Sequence, residues 1–324
     1  MIVRWGLEEL DSVLDELGSR RPLLVTSERF GKIELPVRTR FLGVRRHAPV
    51  DTVAAALEAA AGADCVVGLG GGSALDTSKA VSAATGLPLV AIPTTYSGAE
   101  WTRYYGSRDA ARGVKTGGSG ANTAAIVYDP RLTLELPLEE TVGTALNALA
   151  HCAEALYTIG HGEEGDREAL AGAALVGRWL PEVAARPLDL AARSKLLEGA
   201  MHAGAALELN GLAVAHAIAQ AIGGRYGFPH GALNALSLPA ALRFNEPTVP
   251  GDVARFAGAL GAEDPAGRAE ELARLGGFRR LRDLGMPEED LPELAGDVVA
   301  RPGTRANPRP VSDADAAELL RSIW

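Results

Sequence analysis

The rhythm of apolar and polar positions changes once along this chain. Up to about position 136, short β-branched runs alternate with amphipathic stretches; beyond it, long Ala- and Leu-rich segments follow one another. Glu8 to Leu17 has the helical period, Pro22-Leu23-Leu24-Val25-Thr26 reads as the first strand, and Phe41-Leu42-Gly43-Val44 as a second. Val50 to Ala61 predicts a helix that leads into the strand Cys65-Val66-Val67-Gly68-Leu69. A glycine bend follows, and a new helix opens near Ser73 and ends at Thr85-Gly86. Leu89 to Ile92 and Ala124 to Tyr128 predict further strands, whereas Thr116 to Asn122, rich in Gly and Ser, reads as a mobile loop. Strands alternating with helices in this way predict an open parallel sheet with helices on both faces.

After Leu136-Pro137 the strand signals stop. Glu139 to Thr158, Ala169 to Leu180, Ala191 to Ala203, Leu207 to Ile222 and Ala232 to Phe244 each read as one helix, and Ser312 to Trp324 as a capped terminal helix. The expected organisation is an α/β domain over residues 1–136, followed by an all-helical domain over 137–324.

The glycine bend carries the first candidate chemistry. Gly70, Gly71 and Gly72 remove every Cβ between a buried strand and a helix N-terminus, where backbone N–H groups and the positive dipole end favour a phosphate. Ser73 and Asp76 sit in the first turn, and a dinucleotide pyrophosphate suits the bend. The same bend can also be purely structural. It departs from the usual Rossmann fingerprint: Ser73 replaces the third glycine, the bend is not the chain's first, and no acidic residue follows about twenty positions on. Gly113-Val114-Lys115-Thr116 is no P-loop, because a residue separates glycine from lysine. Thr94, Thr95 and Ser97 leave the carboxyl end of the next strand, the edge where such sheets gather ligands.

Composition narrows the partners. A length of 324 residues, 47% hydrophobic and 23% charged, suits two globular domains. A net charge of -9 argues against nucleic acid or an anionic membrane. Cys65 and Cys152 both lie in apolar runs, no run approaches a membrane span, and the amphipathic opening is no signal peptide. A reduced, cytoplasmic location is the expectation.

The helical half holds a polar constellation where pure core is expected. Asn147 and His151 are four apart, so they share a helix face; His216 and Gln220 repeat the spacing, and His230 comes next in Gly227-Phe228-Pro229-His230-Gly231. A single histidine in such a place is usually a satisfied core residue, whereas three point to a site. Imidazoles and an amide suit zinc or ferrous iron, or proton transfer without a metal.

GGGSALDTSKA, AIPTTYSGAE, TALNALAHCAEALYT and GRYGFPHGALNALSLP, in this order and spacing, resemble the iron-containing alcohol dehydrogenase superfamily along nearly the whole chain. That resemblance implies an NAD(P)-binding α/β domain, an all-helical domain, catalysis in the cleft between them, and a homodimer. PTTYSGAE, YDPRLTLELP, Asn147 and the ANPRPVSDADAAELL ending are similar to the maleylacetate reductases, which reduce the carbon–carbon double bond of maleylacetate to 3-oxoadipate in aromatic catabolism. Metal-dependent members carry an Asp in the place of Asn147, and their other ligands fall on His151, His216 and His230. The reductases are similar to this chain in having Asn there and are thought to work without metal. One departure stands out. Gln220 occupies a place where the superfamily has a histidine, and an amide cannot deliver a proton at neutral pH.

The resemblance implies an NAD(P)H-dependent reductase in which Gly70, Gly71, Gly72, Ser73, Asp76, Thr94, Thr95, Ser97 and Lys115 face the cofactor. His230 is the expected proton donor, with His151 and His216 polarising the substrate oxygen and no metal favoured. Asn147, Gln220 and the cations Arg103 and Arg243 are expected to contact an oxo-dicarboxylate substrate. Glu28, after the first strand, favours NAD over NADP, since a carboxylate facing the ribose repels a 2′-phosphate. The alternatives are a metal-dependent alcohol or hydroxy-acid dehydrogenase holding its ion on Asn147, His151, His216 and His230, and an NAD-using cyclase or lyase of the dehydroquinate synthase type.

Overall fold

The computed structural model describes residues 1–109 and 114–324, with the backbone alone at 109, 114 and 115. The chain divides into two compact units, Met1–Thr95 with Ala99–Thr133, and Tyr96–Gly98 with Leu134–Trp324.

In the first unit the strands run β1 (Ile2–Trp5), β2 (Pro22–Val25), β3 (Thr39–Phe41), β4 (Cys65–Gly70), β5 (Leu89–Pro93), β6 (Tyr105–Asp109), β7 (Val114–Gly118) and β8 (Thr123–Tyr128). Its helices are α1 (Leu10–Glu16), α2 (Val50–Ala59) and α3 (Gly72–Thr85). Six strands form one sheet in the order β1-β8-β5-β4-β2-β3, every neighbouring pair parallel. Alternate side chains face opposite ways. Leu24, Val67, Leu69, Val90, Ile92, Ala125 and Val127 pack with Leu10, Val13 and Leu14 of α1. Leu23, Val25, Val66 and Leu89 pack with Ala56 of α2 and Val81 of α3. Both faces are covered, which is why β4 and β5 read as unbroken apolar runs.

Two expectations in this unit need correction. The first strand is β1, not Pro22–Val25. Its Ile-Val-Arg-Trp is short, only half-buried, and pairs with β8 through Ile2↔Ala125 and Val3↔Ile126, a long-range partner that local periodicity cannot reveal. Thr116 to Gly118 is not loop but part of β7, antiparallel to β6 with Thr116 opposite Ser107. Its glycines serve packing, because a Cβ at Gly117 or Gly118 would collide with Tyr105.

The second unit is helical: α4 (Leu138–Tyr157), α5 (Glu163–Ala185), α6 (Leu190–Asn210), α7 (Val214–Tyr226), α8 (His230–Asn245), α9 (Pro250–Leu260), α10 (Pro265–Leu275), α11 (Leu291–Val299), α12 (Pro302–Arg305) and α13 (Asp313–Ile323). Helix α4 is buried from Thr141 to Tyr157 except at Thr144, against α5, α6 and α8. Close helix approach uses small residues: a Cβ on Gly172 of α5 would lie 2.7 Å from Cys152 Sγ. A Ser312–Asp315 capping box opens α13 as its sequence predicts. No single helix among the described residues is long and apolar enough to cross a membrane.

The segment expected as one helix from Leu207 to Ile222 is broken. Gly211 adopts φ 83°, ψ −158°, a region essentially reserved for glycine, and α7 leaves α6 at 98°. Helical periodicity continues across the break, so only the glycine signals it. A Cβ at Gly211 would meet no atom within 4 Å, which isolates backbone strain as the cost of substitution. Gly211→Ala is therefore expected to lower stability by about 1–3 kcal/mol, read as a reduced urea midpoint with an unchanged m-value.

Candidate active site

In the first unit β4 and β5 end together, with Gly70 opposite Pro93 and Thr94 N donating to Gly70 O at 3.1 Å. This brings Gly70, Gly71, Gly72 and Ser73 beside Thr94 and Thr95 at one sheet edge. Gly70 has φ 147°, and a Cβ on Gly71 would sit 2.9 Å from Thr95 Cγ2. At Gly72 a Cβ would meet nothing within 4 Å. No side chain caps α3, and an uncapped helix N-terminus suits an anion. The bend fits a dinucleotide pyrophosphate on these grounds. Ser73 Oγ accepts from His47 N at 2.9 Å, and Asp76 Oδ1 lies 3.7 Å from Lys79 Nζ.

Lys79 itself is buried, its Nζ donating to Ala99 O at 2.7 Å, Tyr104 O at 2.5 Å and Thr102 Oγ1 at 3.2 Å. Glu100 is buried nearby; its Oε1 accepts from Tyr128 Oη at 2.8 Å, and Tyr128 Oη accepts from Trp101 Nε1 at 2.8 Å. Burial pushes the Glu100 carboxyl up to about 7, against the opposing pull of the Tyr128 hydrogen bond and the Lys79 charge. Arg103 is exposed in the same unit. Lys115 is in β7 by its backbone, and its side chain lies outside the described residues.

In the second unit, α4 carries Asn147, His151 and Glu154 on successive turns, all buried. His216 opens α7, and Glu154 meets that opening: Oε1 accepts from Ala215 N at 2.6 Å and His216 N at 3.2 Å. Glu154 Oε2 lies 2.6 Å from His216 Nδ1. The carboxylate thus caps a helix and orients an imidazole, turning His216 Nε2 towards Asn147 Oδ1 at 3.3 Å. His230 opens α8, and Asn234, one turn on, places Nδ2 2.6 Å from Asn147 Oδ1 and 3.1 Å from His230 Nε2. Asn147 Nδ2 donates to Ser97 O at 3.1 Å and lies 3.5 Å from His151 Nε2. The three rings gather closely, His151 stacking on His216 at 4.7 Å between centroids and His230 tilted to His216 at 5.7 Å. Burial, then the neighbouring His216 and His230, holds His151 well below the usual histidine range, so it is neutral at neutral pH.

Residues 3–130 match the model of iron-containing alcohol dehydrogenase, and residues 141–324 that of the Fe-containing alcohol dehydrogenase family, C-terminal. The chain belongs to the iron-containing alcohol dehydrogenase family. It is an oxidoreductase. Maleylacetate reductase of Sphingobium indicum is 36% identical over 333 residues, covering 98% of this chain and 94% of that protein. The crystal structure of maleylacetate reductase from a Rhizobium species superposes with a TM-score of 0.91 at 31% identity, over 100% of this chain and 95% of that one. Sulfoacetaldehyde reductase from Bifidobacterium kashiwanohense, solved in complex with NAD+, superposes with a TM-score of 0.91 at 27% identity, over 100% and 96%.

The iron-containing family name raises a metal, which the arrangement at Asn147 does not fit. An oxygen facing the Ser97 carbonyl would be repelled, so Nδ2 points there and at His151 Nε2, while Oδ1 already receives Asn234. Amide hydrogens, not an open coordination position, face the ring nitrogens of His151 and His230. Among the described residues no group of three or more His, Cys, Asp or Glu is placed to hold an ion.

Ser97 joins this helical cluster through its carbonyl, and its backbone belongs to the second unit. Gln220 is half-buried, one turn after His216 on the same face of α7. Arg243 needs correction as a substrate contact beside the imidazoles. It lies thirteen residues after His230 on α8, about 20 Å at the helical rise, and pairs with Glu270 at 2.6 Å. Sequence reasoning missed Glu154, Asn234, Lys79 and Glu100. A carboxylate three positions after His151, and an Asn four after His230, were the available signals.

The carboxyl shift sets a pH dependence. Between the ordinary 4.5 and about 7 the folded state keeps the Glu100 proton that the unfolded chain releases. Stability contributed at this position therefore falls as pH rises, by at most about 1.4 kcal/mol per pH unit. Glu100→Gln is expected to flatten the stability profile between about pH 5 and 7. Urea denaturation across that range checks it; a slope identical to the unaltered protein would contradict the assignment.

Proposed function

We propose that this chain is an NAD(P)H-dependent reductase of the maleylacetate type, converting maleylacetate to 3-oxoadipate. The observation that carries the reading is Asn147: a carboxamide engaged at both ends, inside a cluster of imidazoles, supplies polarity and proton transfer without a coordination site. Relatives named maleylacetate reductase, matched over nearly the full chain, support the same conclusion.

The uncapped N-terminus of α3 and the bend Gly70-Gly71-Gly72-Ser73 bind the pyrophosphate, with Thr94 and Thr95 at the same sheet edge. Glu28, exposed after β2, favours NADH by repelling a 2′-phosphate. Reduced nicotinamide, when bound, supplies the hydride. Addition of hydride to the alkene carbon remote from the ketone gives an enolate, whose oxygen needs donors and whose α-carbon needs one proton. His230, half-exposed at the start of α8, delivers that proton. Asn147, Asn234 and His216, held in place by Glu154, supply the fixed dipoles of the pocket. Arg103 is the exposed cation proposed to meet a substrate carboxylate.

Oxidation of NADH and NADPH against maleylacetate and simple aldehydes, before and after exhaustive chelation, tests the proposal. Maleylacetate turnover that survives chelation is expected; turnover of alcohols or aldehydes alone, lost on chelation and restored by iron or zinc, would favour a metal-dependent dehydrogenase. Gly71→Val should abolish cofactor binding, since its branched side chain meets Thr95 and fills the cradle. His230→Ala should lose about 10²–10⁴ in kcat while calorimetry shows cofactor affinity retained.

A further inference from the structure

We propose that Tyr96 and Arg193 are positioning residues: they hold the Ser97 carbonyl, which through Asn147 and Asn234 fixes the proton of His230 on Nδ1. The mechanism leaves Arg193 without a task. It lies on α6 at 1% exposure, and no carboxylate pairs with it among the described residues. Its Nη1 donates to Tyr96 Oη at 3.0 Å and its Nε to Pro187 O at 2.5 Å. A buried guanidinium with only neutral acceptors is an expensive way to hold a tyrosine. It is intelligible if the tyrosine must not move.

The strap Tyr96–Gly98 is pinned along its length. Tyr96 N donates to Thr144 Oγ1 of α4 at 3.2 Å, and Tyr96 is wholly buried. Gly98, at φ 70°, lies so close on α6 that a Cβ would come within 2.9 Å of Gly204 Cα. Between these clamps the Ser97 carbonyl has a fixed direction. Its partner at position 147 must be a donor, so the Asn147 amide can stand only one way round, Nδ2 towards Ser97 at 3.1 Å and Oδ1 away. Asn147 Oδ1 in turn demands a donor and receives Asn234 Nδ2 at 2.6 Å. The second hydrogen of that same NH2 group is directed at His230 Nε2, 3.1 Å away. A ring nitrogen that accepts a hydrogen bond carries no hydrogen, so neutral His230 bears its proton on Nδ1. One backbone carbonyl thereby sets the polarity of three groups in series, Asn147, Asn234 and His230, all within the second unit.

The kinetic effect rests on His230 as the proposed proton donor; the tautomer does not. Long-range proton–nitrogen spectra of histidine-labelled protein, at a pH where the imidazoles are neutral, read it directly. His161 and His202, paired with Asp166 at 2.8 Å and Glu168 at 2.6 Å, are internal references. The unaltered protein is expected to show His230 protonated on Nδ1 alone. Tyr96→Phe, which removes the hydroxyl but keeps the ring, is expected to mix the two His230 tautomers, leave the references unmoved, and lower kcat about tenfold with unchanged cofactor affinity. Arg193→Lys, which retains a donor for Tyr96 Oη, should keep the single tautomer. Protonation of His230 on Nε2 in the unaltered protein overturns the proposal without any variant, as does an unmixed His230 signal in folded Tyr96→Phe. If maleylacetate is not reduced at all but the tautomer behaves as expected, the functional reading fails and the positioning role stands.

Discussion

A fully buried carboxylate, Glu154, is the constraint on which the helical unit depends. An ionised group removed from water is tolerable only if hydrogen bonds replace its hydration. Glu154 finds them at the start of α7: two backbone N–H groups, the positive end of the helix, and an imidazole. These contacts exist because the chain breaks at Gly211 and turns sharply, exposing a helix N-terminus to α4. Had α6 run on without interruption, those N–H groups would be bonded within the helix and Glu154 would be an uncompensated charge. The break, the carboxylate and the orientation of His216 are a single arrangement.

Around Glu154 the site is built of imidazoles and carboxamides, and that composition has consequences. His151 is kept uncharged by burial and by its ring neighbours. Asn147 and Asn234 present dipoles rather than charges, and each is hydrogen-bonded in a direction its partner dictates. Preorganised dipoles of this kind suit a transition state that develops negative charge on an oxygen and then needs a proton, because they do not reorganise as the charge appears. With the Glu154 carboxylate engaged by the start of α7 and by His216 Nδ1, the carboxamide at position 147 is a weaker ligand for a divalent cation than a carboxylate there.

Much of this architecture is legible in the sequence, and the omissions share a cause. The glycine bend, the change of texture near position 136 and the convergence of three histidines all come from local pattern. Pairing at a distance does not. β1 looks unremarkable until β8 lies beside it, and β7 looks like a loop because its glycines read as freedom, whereas they make room for Tyr105. Arg243 looks like a substrate cation because a positive charge sits on the right helix; thirteen residues of helical rise carry it away and Glu270 neutralises it. Glu154 and Asn234 escape notice because a polar residue in an Ala-rich helix has no visible partner until α4, α7 and α8 are packed.

Gln220 is the residue by which this chain departs from the pattern its family suggests, and the neighbouring geometry determines how much that departure costs. An amide one turn after His216 can give or receive a hydrogen bond but cannot ionise, so it cannot return a proton to the site. His151 is too deeply buried to exchange charge with solvent, and His216 is committed to Glu154 through Nδ1. Only His230, half-exposed at the N-terminus of α8, combines contact with the carboxamides and access to water. A site with a second ionisable donor can tolerate an imprecise first one. In the proposed mechanism, with Gln220 in place, proton delivery rests on a single imidazole, and the hydrogen bonds that orient that ring become part of the reaction.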